Sequence, residues 1–266
     1  MIKSAAAVAL AVLWSAGAAG AACDDPGPVE IYPTADVLPE NLLRIYVYFP
    51  RPMALGQGIE MVRLVDAVGD TVEGVFLSNR EDLWSPDRRR LTLLLDPGRV
   101  KTGLDAHEKL GRALVRGKAY AFVVSGSARF ADGCALEHTT RHDFTVEPAD
   151  IDPPQPTAWD LSQPRAASID PLIVGLGSSH DHLSLAYRLR ILDASGAVVP
   201  GAISLGPDEQ SWLFTPRKAW KDARYMLVID ERLEDLAGNR PGLLFDRPLD
   251  QPPQPWQDTL AFTPRR

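Results

Sequence analysis

Cysteine is close to absent from this chain: Cys23 and Cys134 are the only two in 266 residues, so a disulfide framework of several bridges is excluded. Catalytic signatures are missing as well. There is no Gly-x-Ser-x-Gly elbow, no phosphate-cradling glycine loop and no His-Glu-x-x-His. Gly175-x-Gly177 lacks the strand-turn-helix context that would give it meaning. Positive charge is in deficit, with 28 Lys and Arg against 35 Asp and Glu and a net charge of -7, which argues against nucleic acid or an anionic membrane as partner. The dense Asp-x-Asp-x-Asp spacing of calcium loops is absent. Asp132, Glu234, Asp235 and Asp246 therefore read as turn formers rather than ligands. Beyond the N-terminus no apolar run approaches the length of a membrane span. These gaps leave no catalytic residue and no cofactor to expect, and the chain reads as a non-enzyme.

What is present begins with residues 1–22. Lys3, the apolar run from Ala5 to Trp14 and the Ala-Gly tract from Ala16 to Ala22 have the form of an export signal, cleaved after Ala21 or Ala22. The product is expected in a periplasm or outside the cell. The whole chain holds 45% hydrophobic residues, enough for real cores, with 23 prolines scattered among the apolar runs as in turn-rich β structure.

The chain then says nearly the same thing twice. Arg63-Leu64-Val65-Asp66-Ala67-Val68-Gly69, with Val72 and Gly74, returns as Arg190-Ile191-Leu192-Asp193-Ala194-Ser195-Gly196, with Val199 and Gly201. The shift of about 127 residues is the size of a domain rather than of a solenoid repeat. Trp84 is matched to Trp212, Tyr120–Val124 to Tyr225–Ile229, and Ala131–Cys134 to Leu236–Asn239. Domains are expected at 23–147 and 159–266, joined by a stiff proline-rich linker at 148–158. Strands are expected at 42–49, 61–65, 71–77, 83–84, 91–95, 118–125 and 142–146, and again at 171–176, 187–192, 198–205, 212–215, 225–229 and 243–245. A docked tail strand at 260–262 is a further option. Short runs at this spacing, with turn signals between them, predict two immunoglobulin-like sandwiches in an all-β chain. The falling offset gives the first copy about 23 extra residues near Asp96–Gly111, a helical turn or a protruding loop.

Leu43-Arg44-Ile45-Tyr46-Val47-Tyr48-Phe49-Pro50-Arg51-Pro52-Met53 resembles the start of bacterial Ig-like domains first described in surface-layer proteins. Asp66–Gly74 is similar to that family's hairpin, and Leu233–Asn239 to its late Asp-x-x-Gly-Asn turn. The second copy departs by carrying Leu176-Gly177-Ser178-Ser179-His180 where the first has Phe-Pro-Arg-Pro-Met, and Cys134 stands where Asn239 would be expected. The resemblance implies an extracellular structural or adhesive module without general catalytic residues. In such sandwiches the first strand runs beside the last, which brings the chain start near the turn that holds Cys134. A Cys23–Cys134 disulfide is one reading; the other is a lipid-anchored Cys23 at the mature N-terminus, against which Gly20 stands where lipoproteins carry leucine.

Two candidate sites remain. His180 and His182 would share one face of an extended strand and so could share a metal, which makes a periplasmic metal-binding protein the alternative function. The extra segment of the first copy carries Arg99, Lys101, His107 and Lys109 as a candidate binding loop. His138 and His142, the Arg88-Arg89-Arg90 run and Trp84, Trp212 and Trp220 read as solvated or core residues. The expected partner is an envelope protein or a glycan.

Overall fold

A computed structural model describes residues 23, 27–78, 81–101, 103–247 and 252–266; the expected export signal lies outside them. The first half supplies eight strands: β1 (Glu30–Tyr32), β2 (Val37–Pro39), β3 (Arg44–Tyr48), β4 (Val62–Asp66), β5 (Leu83–Trp84), β6 (Arg90–Leu94), β7 (Ala119–Val124) and β8 (Thr140–Glu147). Helices α1 (Pro97–Val100) and α2 (Asp105–Leu110) lie between β6 and β7. The second half supplies β9 (Asp160–Ser162), β10 (Leu172–Gly175), α3 (His182–Tyr187), β11 (Leu189–Leu192), β12 (Gly201–Leu205), β13 (Ser211–Pro216), β14 (Tyr225–Ile229) and β15 (Thr259–Phe262).

These strands form two Ig-like sandwiches of one topology. Sheet β1-β3-β6-β5 faces β2-β8-β7-β4, and sheet β9-β10-β13-β12 faces β15-β14-β11. In the first, β2 joins β8 in parallel; in the second, a parallel bridge between Arg165 and Arg265 takes that place. Alternation builds each core, since residues two apart share a face. Ile45, Val47, Leu91 and Leu93 meet Phe122 and Phe144 in one, and Leu172, Val174, Trp212 and Phe214 meet Leu227 and Phe262 in the other. Each such side chain contributes about 1.5–3 kcal/mol on burial.

The duplication holds at the level of single hydrogen bonds. In the β4 turn, Asp66 Oδ1 accepts from the amides of Val68 and Asp70, and Val72 donates to Leu64 O. After β11, Asp193 Oδ1 accepts from Ser195 and Ala197, and Val199 donates to Ile191 O. Leu64 pairs with Phe122 and Ile191 with Leu227, which carries the match on to Tyr120 and Tyr225. Phe144 lies opposite Tyr120, and Phe262 opposite Tyr225.

Four sequence expectations need correcting. Trp84 and Trp212 are not equivalent: Trp84 on β5 lies opposite Leu91, whereas Trp212 on β13 lies opposite Leu205. Indole and leucine have exchanged strands across one core pair. Gly74 and Gly201 are not equivalent either, because Phe76 bridges Leu95 as Gly201 pairs with Pro216, which makes Glu73-Gly74 two extra residues. Residues 71–77 form no strand; Thr71 bridges Val65 in one sheet and Phe76 bridges Leu95 in the other, so this stretch changes sheets. Finally, 243–245 makes only a bridge from Leu243 to Arg240, and β15 in the tail is the closing strand.

Cys23 and Cys134 form a disulfide across a sequence separation of 111 residues, with Cα atoms 5.8 Å apart. With its sulfur in that bond, Cys23 offers no thiol for a lipid. Loop-closure entropy assigns such a link about 4–5 kcal/mol. Cys134→Ser should therefore lower the urea-derived unfolding free energy by about that amount, and reducing agent should remove the difference between variant and wild type.

Candidate functional site

Every second residue of β3 faces away from the first core, which puts Arg44, Tyr46 and Tyr48 on an outer sheet face. Such a face is ordinarily wet. Here the second sandwich covers it, and Tyr46 is only 2% exposed.

The cover is α3 and the loops beside it. Asp181 caps α3 by accepting from the Ser184 amide at 2.8 Å, and its other oxygen accepts from the Tyr46 hydroxyl at 2.8 Å. Arg44 Nε lies 3.7 Å from the same carboxylate, while its Nη2 donates to Glu234. The second Glu234 oxygen accepts from Arg240 Nε at 2.9 Å and Nη2 at 2.7 Å. A relay Tyr46–Asp181–Arg44–Glu234–Arg240 thus stitches one sandwich to the other.

A second knot forms at Glu209, which is 1% exposed. Its carboxylate accepts from Thr34 N at 2.8 Å and Thr34 Oγ1 at 3.1 Å, with His182 Nδ1 at 3.5 Å. The His182 ring lies on Tyr32 at 3.7 Å and near Tyr48 at 5.5 Å. Asp208 and Glu209 hold φ of 58° and 53°, left-handed values that cost side-chain-bearing residues about 1 kcal/mol or more each. That strain aims Glu209 at the partner sandwich.

The third knot is the connecting segment. Asn41 holds both backbone groups of Asp150, donating to its carbonyl at 2.9 Å and accepting from its amide at 2.8 Å. Asn239 donates to the same carbonyl at 3.1 Å. Leu43 N bonds Leu236 O at 2.9 Å, and Gly238, at φ +79°, lets that turn close up. A β-carbon there would stand 2.5 Å from the Leu43 side chain.

Burial governs the electrostatics. Burial pushes the Asp181 carboxyl up against the opposing pull of Arg44 and drives the Tyr46 hydroxyl far above its usual range, with the Asp181 charge adding to it. Desolvation works against the Arg44 charge, but Asp181 and Glu234 more than compensate and raise its pKa. Asp235 is raised to about 8, first by burial and then by Asp150, and its Oδ2 has no partner among the described residues. Burial holds His180 neutral, down to about 4.

The metal reading of His180 and His182 is overturned by local structure. The segment is not extended: Asp181 is an N-cap and His182 opens α3, so the two rings part. His180 bridges Asp235 as Met53 bridges Phe130, which makes it the core counterpart of that methionine, 1% exposed and edge-on to Trp159 at 5.8 Å. Its Nδ1 donates to Ser178 O at 3.0 Å. Among the described residues no three His, Cys, Asp or Glu side chains are grouped to hold a metal.

In the extra segment, Arg99 is buried and donates to the carbonyls of Glu73, Gly74, Gly111 and Arg112. Lys101 Nζ lies 4.2 Å over the Phe245 ring. His107 is half-buried, and Lys109 is exposed, 3.6 Å from Asp105. The chain itself thus engages Arg99 and Lys101.

Sequence reasoning missed Arg44, Tyr46, Thr34 and Glu209. A signal existed in β3, whose outward positions carry Arg, Tyr and Tyr. Beside the seam, Arg44, Tyr187, Arg188, Arg232 and Arg240 line a cleft of about 520 Å³. No histidine lines it, and Ser184 Oγ there accepts from the Glu234 amide at 3.2 Å.

Opposite pH dependences follow for the two buried groups. Asp235 titrates at about 8 when folded against 3.8 for the free group, so its stabilising contribution is complete below about 4 and drains as pH rises to 8. The slope is about 1.4 kcal/mol per pH unit. His180 titrates at about 4 against 6.5, so its contribution is complete above 6.5 and is lost as pH falls toward 4. Urea titrations should show Asp235→Asn without the loss between 6.5 and 8. His180→Met, which copies Met53, should lack the acid-side loss.

No family model matches this chain, and no curated protein matches it. Among solved structures it is similar to native alpha-2-macroglobulin from Escherichia coli spanning domains MG0-NIE-MG1, at 10% identity and a TM-score of 0.27, over 89% of this chain and 71% of that one. It is also similar to the S-layer protein rSbsC at 15% identity and a TM-score of 0.28, over 70% of this chain and 22% of that one. A third is the N-terminal Ig1-2 module of the Drosophila receptor protein tyrosine phosphatase DLAR, at 13% identity and a TM-score of 0.25, over 78% and 93%. Likenesses this distant carry no functional meaning for the chain, whose Ig-like architecture rests on its own strand pairing.

Proposed function

We propose that this chain is an exported, non-catalytic structural or binding protein of a bacterial cell envelope. Its two Ig-like domains, 23–147 and 159–266, act as one stiff body that presents loops in fixed relation. The observation that carries the reading is the seam. Buried Asp181, Glu209 and Glu234 each take a partner across it, Tyr46 and Arg44 or Thr34, in addition to those in their own sandwich. Domains that rock leave such groups unpaired, and a buried charge stripped of its partner costs about 3–5 kcal/mol. Rigidity of this kind suits display. Export is supported by the signal-like residues 1–22 and by the disulfide. No helix among the described residues is long and apolar enough to cross a membrane.

The test is a distance. Spin labels attached at Ala67 and Ala194, equivalent exposed turn positions, should give one narrow distribution by double electron-electron resonance. Arg44→Ala should broaden it and lower stability by about 3 kcal/mol, since Asp181 and Glu234 lose their shared cation. A wild-type distribution as broad as that of the variant would end the rigid-display reading.

A further inference from the structure

We propose that a groove on the second sandwich is a docking site for an acidic, aliphatic peptide segment of a partner protein. It lies between the Asp193–Ser195 turn and the β13–β14 connection and has a volume of about 660 Å³. Val198, Val199, Pro200, Ala219 and Ala223 give it an aliphatic lining. Arg217, Lys218 and Lys221 stand exposed around it.

Most of this charge is left over: Asp193 lies within electrostatic reach of Lys221, so one acid of the lining stands against three cations. None of the three takes part in the ion pairs of the described residues. The neighbouring Asp222 pairs with Arg266 at 2.9 Å. Asp193, the one acid in the lining, commits Oδ1 to the amides of Ser195 and Ala197 and to the Ser195 hydroxyl. A positive groove on a chain of net charge -7 selects an anionic occupant.

The sister sandwich indicates that this occupant is polypeptide. There the same connection is residues 95–118, against 217–224 in the second copy, and α1 delivers Arg99 into the matching position. Arg99 bonds the carbonyls of Glu73 and Gly74 and lies within electrostatic reach of Tyr120, the counterpart of Tyr225. The second copy lacks both the long connection and the Glu73-Gly74 insertion, so none of the described residues fills the space. The charge is reversed. The first groove is closed by a cation from its own chain, whereas the second carries the cations and calls for acids. A glycan fits less well, because sugars dock on open aromatic faces. Trp220 and Tyr225 are buried, with Trp220 Nε1 donating to Asp170 O at 2.8 Å and the Tyr225 hydroxyl accepting from Lys221 N at 3.0 Å.

This site deepens the binding half of the proposed function and rests on it. The test uses a short fluorescein-labelled peptide alternating Glu with Leu and Val, read by anisotropy against the mature chain. Binding that weakens with added salt is expected, with an affinity loss of about tenfold or more in R217E/K218E. No loss is expected in R116E/K118E, which reverses charge on the first sandwich, and no binding by a peptide with Lys for Glu. Equal affinity in R217E/K218E and wild type would overturn the site. So would displacement of the peptide by a uronate oligosaccharide that binds more tightly, or self-association of the chain abolished by the same substitutions. Spin-label distances on the same samples keep the two proposals apart. A narrow distribution with no peptide binding removes the groove alone, and peptide binding with a broad distribution removes rigidity alone.

Discussion

Burying a carboxylate without a partner is among the most costly things a fold can do, and this molecule buries several along one seam. Asp181 cannot be solvated where it lies, so Tyr46 and Arg44 must stay within reach. Those residues belong to the other sandwich. The relative placement of the two halves is thus fixed by the need to satisfy charge rather than by the proline content of the connection. The strain at Asp208 and Glu209 makes the same point, because left-handed backbone persists only where something holds it, and here that is Thr34.

Duplication followed by divergence explains where this constraint sits. Both copies keep the Asp-headed turn, the order of the shared strands and the Tyr-Phe pair between the last two strands of the second sheet. What changed are positions whose neighbours differ. The turn holding Gly133 and Gly238 is closed identically in each copy, by Phe130 N to Cys134 O and by Asp235 N to Asn239 O. Its last side chain then ties down whichever chain segment passes by. Cys134 fastens Cys23, while Asn239 fastens Asp150 and the Phe245 amide. Where the first copy has Met53, His180 stands as a neutral core residue whose Nδ1 bonds Ser178 O.

Fold class was legible because it depends on local repetition. Alternation marks Arg44–Tyr48 and Tyr225–Ile229 without reference to partners, and the repeat exposes the shared topology. The closing strand was harder: Leu243–Phe245 has strand composition, yet Thr259–Phe262 wins because Phe262 can lie against Tyr225 as Phe144 does against Tyr120. The tryptophan match misled for a related reason. Indole volume can be conserved across a strand pair while its strand is not, and a linear alignment cannot see across a pair. The seam was illegible because no pattern within one copy says which outward face the other copy covers. His180-Asp181-His182 shows the hazard, since alternation implies a shared face only if the backbone is extended, and an N-capping aspartate favours a helix instead.

The same logic orders the two grooves. In the first copy, two insertions far apart in sequence, Glu73-Gly74 and the long β6–β7 connection, touch each other through one guanidinium. Each completes the other: without those carbonyls the Arg99 Nη1 would lose both its acceptors, and the carbonyls without the connection would face water. They therefore belong together as one addition, and the copy lacking both retains the simpler state. The open hollow beside Trp220 is then the simpler arrangement of the module, and the first copy differs because its own chain fills the equivalent place.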